Sequence, residues 1–218
     1  MITFISGATG SGKTWFAFNK ILYPEWKRGN KIMTNQPATF PNNNEDIELF
    51  YKLEDIYTAN NCNIFIDEAH KLFPAGGMDD FPTFFWDKIT EHRKQGINFV
   101  TTTQDLAQVH IKYRRLIHDL YVTSTLFRYP RDERVHPILQ IIKVIHKKRK
   151  SDDTYNISWE KCGQRFYIIS KYNPLTKNLY DTYKNIGLKK YLCKAHLKNG
   201  KYTVKFYSRM LLRGNKMI

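Results

Sequence analysis

The sequence predicts an α/β fold in which helices flank a central, mainly parallel sheet. Short apolar runs with strand propensity alternate with segments of helical periodicity over the first two-thirds of the chain. Hydrophobic residues make up 42% of the 218 residues, enough to build a core for such a sheet. Past about Phe127 the alternation stops, which indicates a small β-rich appendage at the C-terminal end.

Each predicted element has a local reason. Strands are expected where apolar and β-branched residues form short runs: residues 2–6, 31–34, 63–66, 97–103 and 120–125. Helices are expected where apolar residues recur at intervals of three and four: residues 14–27, 46–59, 83–95 and 106–117. Gly29 and Gly96 suit the ends of the first and third helices. Loops are expected at 37–44 and 73–81, which contain prolines, asparagines or glycines.

The C-terminal third shows predicted strands without the alternating helices of the first two-thirds. A strand is expected at 166–170, and a hairpin at 196–206 in which Asn199-Gly200 fits a type I′ turn. The polar run at 147–153 is the best loop candidate between the two parts. The sequence therefore predicts a core over residues 1–142 and a basic extension over residues 143–218, packed on or next to the core.

Charge divides the chain at the same place. Residues 1–142 carry 16 Lys and Arg against 16 Asp and Glu, whereas residues 143–218 carry 19 against 4. Such a block suggests an acidic polymer or surface as a partner. An AT-rich coding bias would also add lysines, but it would add them throughout the chain. The one-sided distribution favours a functional basic face.

Several classes of protein find no support in the sequence. No apolar run approaches the roughly 18 residues needed to cross a bilayer, and the N-terminus lacks the pattern of a secretory signal. The three cysteines form no CxxC pair, so neither a disulfide framework nor a zinc site is indicated. A reducing cytoplasm is the expected setting.

A glycine-rich stretch after the first strand matches G-x-x-x-x-G-K-[ST] at every fixed position: Gly7, Ala8, Thr9, Gly10, Ser11, Gly12, Lys13 and Thr14. Glycines let backbone N–H groups approach phosphates, and the following helix directs its positive end at the same anion. Lys13 is expected to bind the β- and γ-phosphates of ATP, and the Thr14 hydroxyl to bind Mg²⁺. A chance glycine-rich turn is the alternative, which the position between strand and helix argues against.

Two acids end the third predicted strand. Asp67 is expected to hold the Mg²⁺ shell, and Glu68 to orient the attacking water and accept its proton. The alternative is a strand that simply reaches solvent. A carboxylate dedicated to water favours ATP hydrolysis over phosphate transfer to a small acceptor.

Further catalytic candidates are weaker. Gln104 ends the strand at 97–103 and is expected either to sense the γ-phosphate or to be an ordinary polar cap. Three arginines are candidates for a finger that completes a neighbouring subunit's site: Arg93, Arg114 and Arg115. The alternative for each is a plain surface residue. His70 completes a DEAH tetrapeptide, but helicases of that type need two such domains, and the histidine spacing supports no metal site.

These segments together resemble the zonular-occludens-toxin-like ATPases of the FtsK–HerA group. The resemblance is carried by residues 7–14, 64–75, 92–97 and 103–105, and it extends through about Val122 and more weakly over 166–183. It implies a RecA-like core and a ring, with a hexamer expected. It also implies the family roles for Lys13, Thr14, Asp67, Glu68 and Gln104.

The family includes filamentous-phage assembly proteins that export single-stranded DNA, and related viral members package genomes. The assembly proteins usually carry a membrane-spanning segment after the ATPase domain, which this sequence lacks. We therefore expect a motor for viral DNA that either packages a genome without an anchor or belongs to a chain cut before one. Its expected place is the host cytoplasm, docked on a procapsid portal or vertex, or on inner-membrane assembly proteins.

Two other functions stay open. A membrane-associated assembly factor would use the basic block on anionic lipid or coat protein. A small-molecule kinase would need an arginine-bearing lid that the sequence does not show. Aromatic residues of the last third could stack on unpaired bases or simply form core: Tyr155, Trp159, Phe166, Tyr167 and Tyr172.

Overall fold

The predicted α/β fold is confirmed. The computed structural model describes residues 1–38, 40, 47–51, 53–76, 83–129, 139–150, 157–171, 191–198 and 201–208. The strands are β1 Ile2–Ser6, β2 Lys31–Thr34, β3 Ile47–Leu49, β4 Cys62–Ile66, β5 Asn98–Thr103, β6 Asp119–Tyr129, β7 Leu139–Arg149, β8 Trp159–Lys171, β9 Tyr191–Lys198 and β10 Lys201–Ser208. The α-helices are α1 Lys13–Phe16, α2 Tyr23–Lys27, α3 Leu53–Thr58, α4 Ala69–Leu72, α5 Thr83–Thr90 and α6 Ile111–Arg114.

Eight strands form one sheet in the order β3-β2-β4-β5-β1-β6-β7-β8. The strands from β1 to β6 pair in parallel, and β7 and β8 continue the sheet in antiparallel fashion. Parallel strands end at a common edge, and β1 lies in the interior of that parallel set. The carboxyl ends of β1, β4 and β5 therefore lie side by side, where the two predicted motifs begin.

Both faces of the sheet are covered at β1. Neighbouring residues of β1 point to opposite faces: Phe4 joins a core with α3 to α6, and Ile5 joins a second core with α1 and β7. This double burial accounts for β4, which is apolar except for Asn63, and for β5, in which every residue after Asn98 is buried.

Three predicted helices are corrected. The segment at 46–59 divides into strand β3 and helix α3, because Ile47 to Leu49 pair in parallel with β2 and so satisfy their backbone groups at the sheet edge. The segment at 83–95 is helical only to Thr90 and continues as turns to Gly96. The segment at 106–117 divides into a 3₁₀ turn and α6, because Val109 bridges to Pro74 between them.

The first helix is confirmed but not uniform. Between α1 and α2 the chain widens into a π-helical segment, Ala17–Leu22. Pro24 follows in the first turn of α2, where its missing N–H and its ring disturb regular α-helical bonding.

The boundary at 142/143 falls inside β7, which is one unbroken strand, so the basic segment begins within the sheet. For the same reason Lys147 to Arg149 are strand rather than loop; the pairing of β7 with β6 and β8 satisfies their backbone. The strand at 166–170 lies within β8, and β9 and β10 form the predicted antiparallel pair. The turn at Asn199-Gly200 lies outside the described residues. Among the residues that the structure describes, no helix is long and apolar enough to cross a bilayer.

Candidate functional site

The glycine-rich loop connects β1 to α1 at the carboxyl edge of the sheet, as its motif requires. Gly12 has a φ of 83°, in the left-handed region that favours glycine, and a Cβ there would lie 2.3 Å from Ile142 Cδ1 of β7. A Cβ on Gly7 would lie 2.4 Å from the carbonyl oxygen of Thr123 in β6. Within the loop, the N–H of Ser11 donates to the carbonyl of Ala8 at 3.1 Å. Glycine is thus required at two positions where other strands touch the loop.

Lys13 folds over this loop. Its Nζ donates to the carbonyl oxygens of Gly7 and Ala8, each at 2.9 Å. Burial lowers the pKa of Lys13, and the nearby carboxylates of Glu68 and Asp67 act in the opposite direction. The ammonium group therefore lies in the electrostatic field of both predicted acids, between the loop and the end of β4.

Asp67 is held by hydroxyl groups. Its Oδ1 accepts from Thr102 Oγ1 at 2.6 Å and from Thr14 Oγ1 at 3.3 Å. Its backbone exchanges two hydrogen bonds with the Asn35 side chain, at 2.8 and 3.1 Å. Burial raises the pKa of the Asp67 carboxyl, while the hydrogen bonds from Thr102 and Thr14 act against that rise.

This oxygen pair fits the predicted magnesium. A hydroxyl and a carboxylate are hard ligands, and Mg²⁺ commonly takes one or two of these from protein with the rest from water and phosphate. A cation beside Asp67 would also favour its ionised form, which burial disfavours. Among the described residues no cluster of three or more His, Cys, Asp or Glu offers another site for a metal.

Glu68 follows in an unusual backbone conformation. Its φ of 57° is left-handed, and its N–H donates to Thr102 Oγ1 at 3.0 Å. The same threonine therefore orients both acids. His70 Nε2 lies 3.3 Å from Glu68 Oε2, in the first turn of α4. A strained residue kept in place by neighbouring contacts is typical of functional sites.

The back of the loop rests on β6 and β7. Thr125 Oγ1 and Gln140 Nε2 both donate to the carbonyl of Gly10, at 3.0 and 2.9 Å. Gln140 also donates to Thr125 Oγ1 at 2.9 Å, and Ser11 Oγ lies 2.9 Å from Thr123 Oγ1. These polar strand residues fix the loop from behind.

Sequence reasoning singled out none of these supporting residues. Asn35 could have been found, because it directly follows β2 at the same sheet edge as Asp67. Thr102 lies within the predicted strand at 97–103, but the sequence points instead to Gln104, which follows that strand. No local sequence pattern marks Gln140 as a support of the loop, since its partner Gly10 lies 130 residues away.

Gln104 lies at the expected edge, where its carbonyl accepts from Ser6 Oγ at 3.4 Å, and its side chain is exposed. It is Thr102 that contacts Asp67, so a sensing role for Gln104 stays a prediction. The three arginines lie elsewhere. Arg93 follows α5 and contacts His118, while Arg114 and Arg115 end α6 just before β6. All three are at the amino edge of the parallel strands, so as arginine fingers they could act only on a neighbouring subunit's site; that role also stays a prediction.

The aromatic residues of the last third divide into two groups. Trp159 and Phe166 pack against the two hydrophobic cores, as the structural alternative expected. Tyr167 is 60% exposed. Tyr155 and Tyr172 lie outside the described residues.

The fold and the comparisons with known proteins together define the class and the family of the chain. The strand–loop–helix at the carboxyl edge of a mainly parallel sheet defines the class: this is a P-loop NTPase fold. The sequence profile of the zonular occludens toxin (Zot) family matches residues 38–154, just over half of the chain. The chain belongs to the Zot family, which confirms the resemblance to that family.

Solved structures similar to this chain share little sequence identity with it. The N-terminal domain of zonular occludens toxin from Neisseria meningitidis is 18% identical, covering 83% of this chain and 98% of that one, with a TM-score of 0.49. The genome packaging NTPase of Sulfolobus turreted icosahedral virus 2 in complex with AMP is 12% identical, covering 65% and 90%, with a TM-score of 0.47. The structure of the same NTPase in complex with ATP-gammaS is 10% identical, covering 65% of this chain and 90% of that one, with a TM-score of 0.45. A comparison with curated proteins found no match.

Proposed function

We propose that this chain is an ATP-hydrolysing motor that moves viral DNA, packaging or exporting a genome. The observation that carries the proposal is the convergence of four side chains at one sheet edge. Lys13 and Thr14 lie at the start of α1, and Thr14 Oγ1 is 3.3 Å from the Asp67 carboxylate next to Glu68. This is the arrangement that phosphoryl transfer to water needs: cationic and backbone donors on one side and acids on the other.

Phosphate binding, Mg²⁺ binding and activation of water would fall to different residues of the site. The loop backbone and Lys13 would bind the β- and γ-phosphates of ATP, with Lys13 exchanging its carbonyl partners for phosphate oxygens. Thr14 and Asp67 would hold Mg²⁺, which supplies positive charge for the triphosphate when bound. Glu68 would orient the attacking water and accept its proton, with His70 and the Thr102 hydroxyl fixing its position.

The case for DNA as the moved polymer is electrostatic. The excess of 15 positive charges lies beyond residue 142, and such an excess favours sequence-independent binding to phosphates. A ring, with a hexamer expected from the family, would let arginines at the amino edge reach a neighbour's site. The proposed place of action is the host cytoplasm, against a capsid vertex or membrane assembly proteins.

The test is the ATPase rate of the chain with and without single- and double-stranded DNA at several salt concentrations. We expect stimulation by DNA that fades as salt rises, because each phosphate contact releases counterions. Stimulation by anionic vesicles but not by DNA would replace the motor with a membrane-associated assembly factor. Transfer of phosphate to a small acceptor in place of water would contradict the proposal altogether.

A further inference from the structure

A cavity of about 650 Å³ lies at the edge of the sheet opposite the glycine-rich loop. It is formed where α5 ends, where β6 begins and where β7 ends. Its lining residues are Thr90, His92, Arg93, Arg115, Leu116, Ile117, His118, Lys148 and Arg149. Four of these nine are Lys or Arg and none is Asp or Glu, so the cavity is strongly cationic.

The cationic side chains come from segments that are distant in sequence but tied together. The Arg149 side chain donates to the carbonyl of Arg115, and the Arg149 N–H donates to the carbonyl of His118 at 3.3 Å. Arg93 contacts the ring of the same histidine. The core and the basic segment therefore build one rim, which neither could form alone.

The charges on this rim are available to a ligand. Arg93, Arg115 and Lys148 are exposed. The nearest buried acid, Asp119, is already hydrogen-bonded to His146 Nε2 at 2.7 Å. Across the ladder Glu160 lies opposite Lys148 on β8, outside the cavity lining.

The charge of Arg93 acts on the interior of the cavity. The pKa of His118 is lowered by burial and then by the Arg93 charge, with only Asp119 and a backbone hydrogen bond acting against this. Like charges this close repel one another, and an anion among them would relieve that repulsion. The cavity therefore suits phosphate groups, for which guanidinium donors provide a planar fork.

We propose that this cavity binds the phosphate backbone of the DNA on which the proposed motor acts. The inference deepens the proposed function and rests on it. It commits to a location: DNA lies at the amino edge of the sheet and ATP at the carboxyl edge. β1 joins the two, since its first N–H donates to His118 Nδ1 at 3.1 Å and its last residue leads into the glycine-rich loop.

The test compares two pairs of substitutions with the same change in charge. The cavity pair is Lys148→Gln with Arg149→Gln on β7. The control pair is Lys161→Gln with Arg165→Gln on the neighbouring strand β8, where both side chains are exposed and outside the cavity. None of the four is a candidate arginine finger, which keeps DNA binding separable from hydrolysis.

Binding of a fluorescent oligothymidine is measured by anisotropy over a range of salt. For the cavity pair we expect weaker binding and a salt slope reduced by about 1.4, from ~0.7 for each of two lost contacts on single strands. The control pair should keep the wild-type slope. Equal losses of affinity and salt slope in the two pairs, or no loss in the cavity pair, would show that the cavity is not the DNA site. That result would still be compatible with a DNA motor that binds DNA through dispersed charges.

Two further binding measurements distinguish failure of the cavity assignment from failure of the proposed function. If the wild-type chain binds no DNA at any salt, the proposed function itself fails. If the cavity pair loses binding to phosphatidylglycerol vesicles but keeps DNA binding, the cavity serves a lipid surface and the DNA assignment is overturned. Thermal melting of both pairs checks that each variant is folded; should the cavity pair fail this, Lys148→Gln alone against Lys161→Gln gives the same comparison with half the slope change.

Discussion

At the scale of single residues, the site depends on one hydroxyl that serves two acids. Thr102 Oγ1 donates to Asp67 Oδ1 at 2.6 Å and accepts the N–H of Glu68 at 3.0 Å. Glu68 has a left-handed backbone, which costs on the order of 1–2 kcal/mol for a residue with a side chain. The threonine offsets part of that cost by giving the strained N–H a partner. The positions of both carboxylates therefore follow from a residue on the next strand.

The first prediction concerns Glu68. Glu68→Gln should bind ATP but hydrolyse it about 10²- to 10⁴-fold more slowly, because an amide cannot accept the proton of water. Steady-state ATPase and equilibrium ATP binding check the two halves of this statement. The control is Glu91→Gln, which removes an exposed carboxylate paired with Lys94 and should hydrolyse ATP at the wild-type rate. Near-normal turnover by Glu68→Gln would remove this residue from catalysis.

The second prediction concerns Thr102. Thr102→Val keeps the shape but removes the hydroxyl, so the free energy of unfolding should fall by about 1–3 kcal/mol as two polar groups lose their partner. The control is Thr101→Val on the same strand, whose hydroxyl donates to the Thr3 carbonyl at 3.3 Å, away from the acids. Denaturant unfolding measures both. Only Thr102→Val should also weaken binding of ATP with Mg²⁺; equal weakening in both would contradict the role given to Thr102.

At the scale of elements, the glycine-rich loop rests on the antiparallel part of the sheet. Ile142 of β7 fills the space beside Gly12, and Gln140 of the same strand donates to the carbonyl of Gly10. The glycine-rich loop is thus shaped by a strand that also carries, at its other end, basic residues of the cavity proposed to bind DNA.

The third prediction tests that contact. Gly12→Ala should cost more stability than Gly29→Ala, since both positions have φ near +80° but only Gly12 also meets Ile142. Backbone strain alone should cost about 1–2 kcal/mol at Gly29. Adding Ile142→Val removes the methyl that lies 2.3 Å away and should restore part of the loss at Gly12. Denaturant unfolding of the wild type and of the three variants measures these differences; equal costs at the two glycines would contradict the contact.

The elements that could be predicted from the sequence are those marked by a local motif or a local hydrophobic periodicity. The strand before Gly7 and the acidic end of β4 could be recognised because motif and periodicity lie within a few residues of each other. The strand β3 could not, because Ile47 to Leu49 become a strand only by pairing with β2. The support from Gln140 could not be foreseen either, since nothing local marks a glutamine that bonds to a loop 130 residues away.

At the scale of the whole molecule, one sheet connects the two proposed functions. Its parallel part places the glycine-rich loop and the two acids at the carboxyl edge, and its antiparallel part brings Lys148 and Arg149 to the amino edge. Charge indicated a basic extension packed on or next to the core, and β7 and β8 continue the core sheet itself.

The fourth prediction concerns assembly. If the chain works as a ring with arginines acting on a neighbour's site, adding Lys13→Ala subunits should reduce ATPase activity more steeply than their fraction in the mixture. The matched control is Lys20→Ala, an exposed lysine on the π-helical segment, which should leave activity unchanged at every ratio. A fall in simple proportion to the Lys13→Ala fraction would indicate independent sites.

The central claim is that ATP binds between the glycine-rich loop and the acidic pair, with Lys13 on its phosphates. Equilibrium binding of ATP with Mg²⁺ to the wild type, Lys13→Ala and Lys20→Ala tests it most directly. The account predicts that Lys13→Ala binds about 10- to 100-fold more weakly, from the ~1.5–3 kcal/mol of hydrogen bonds to a charged group, while Lys20→Ala binds as the wild type does. Wild-type affinity in a folded Lys13→Ala variant would contradict the account.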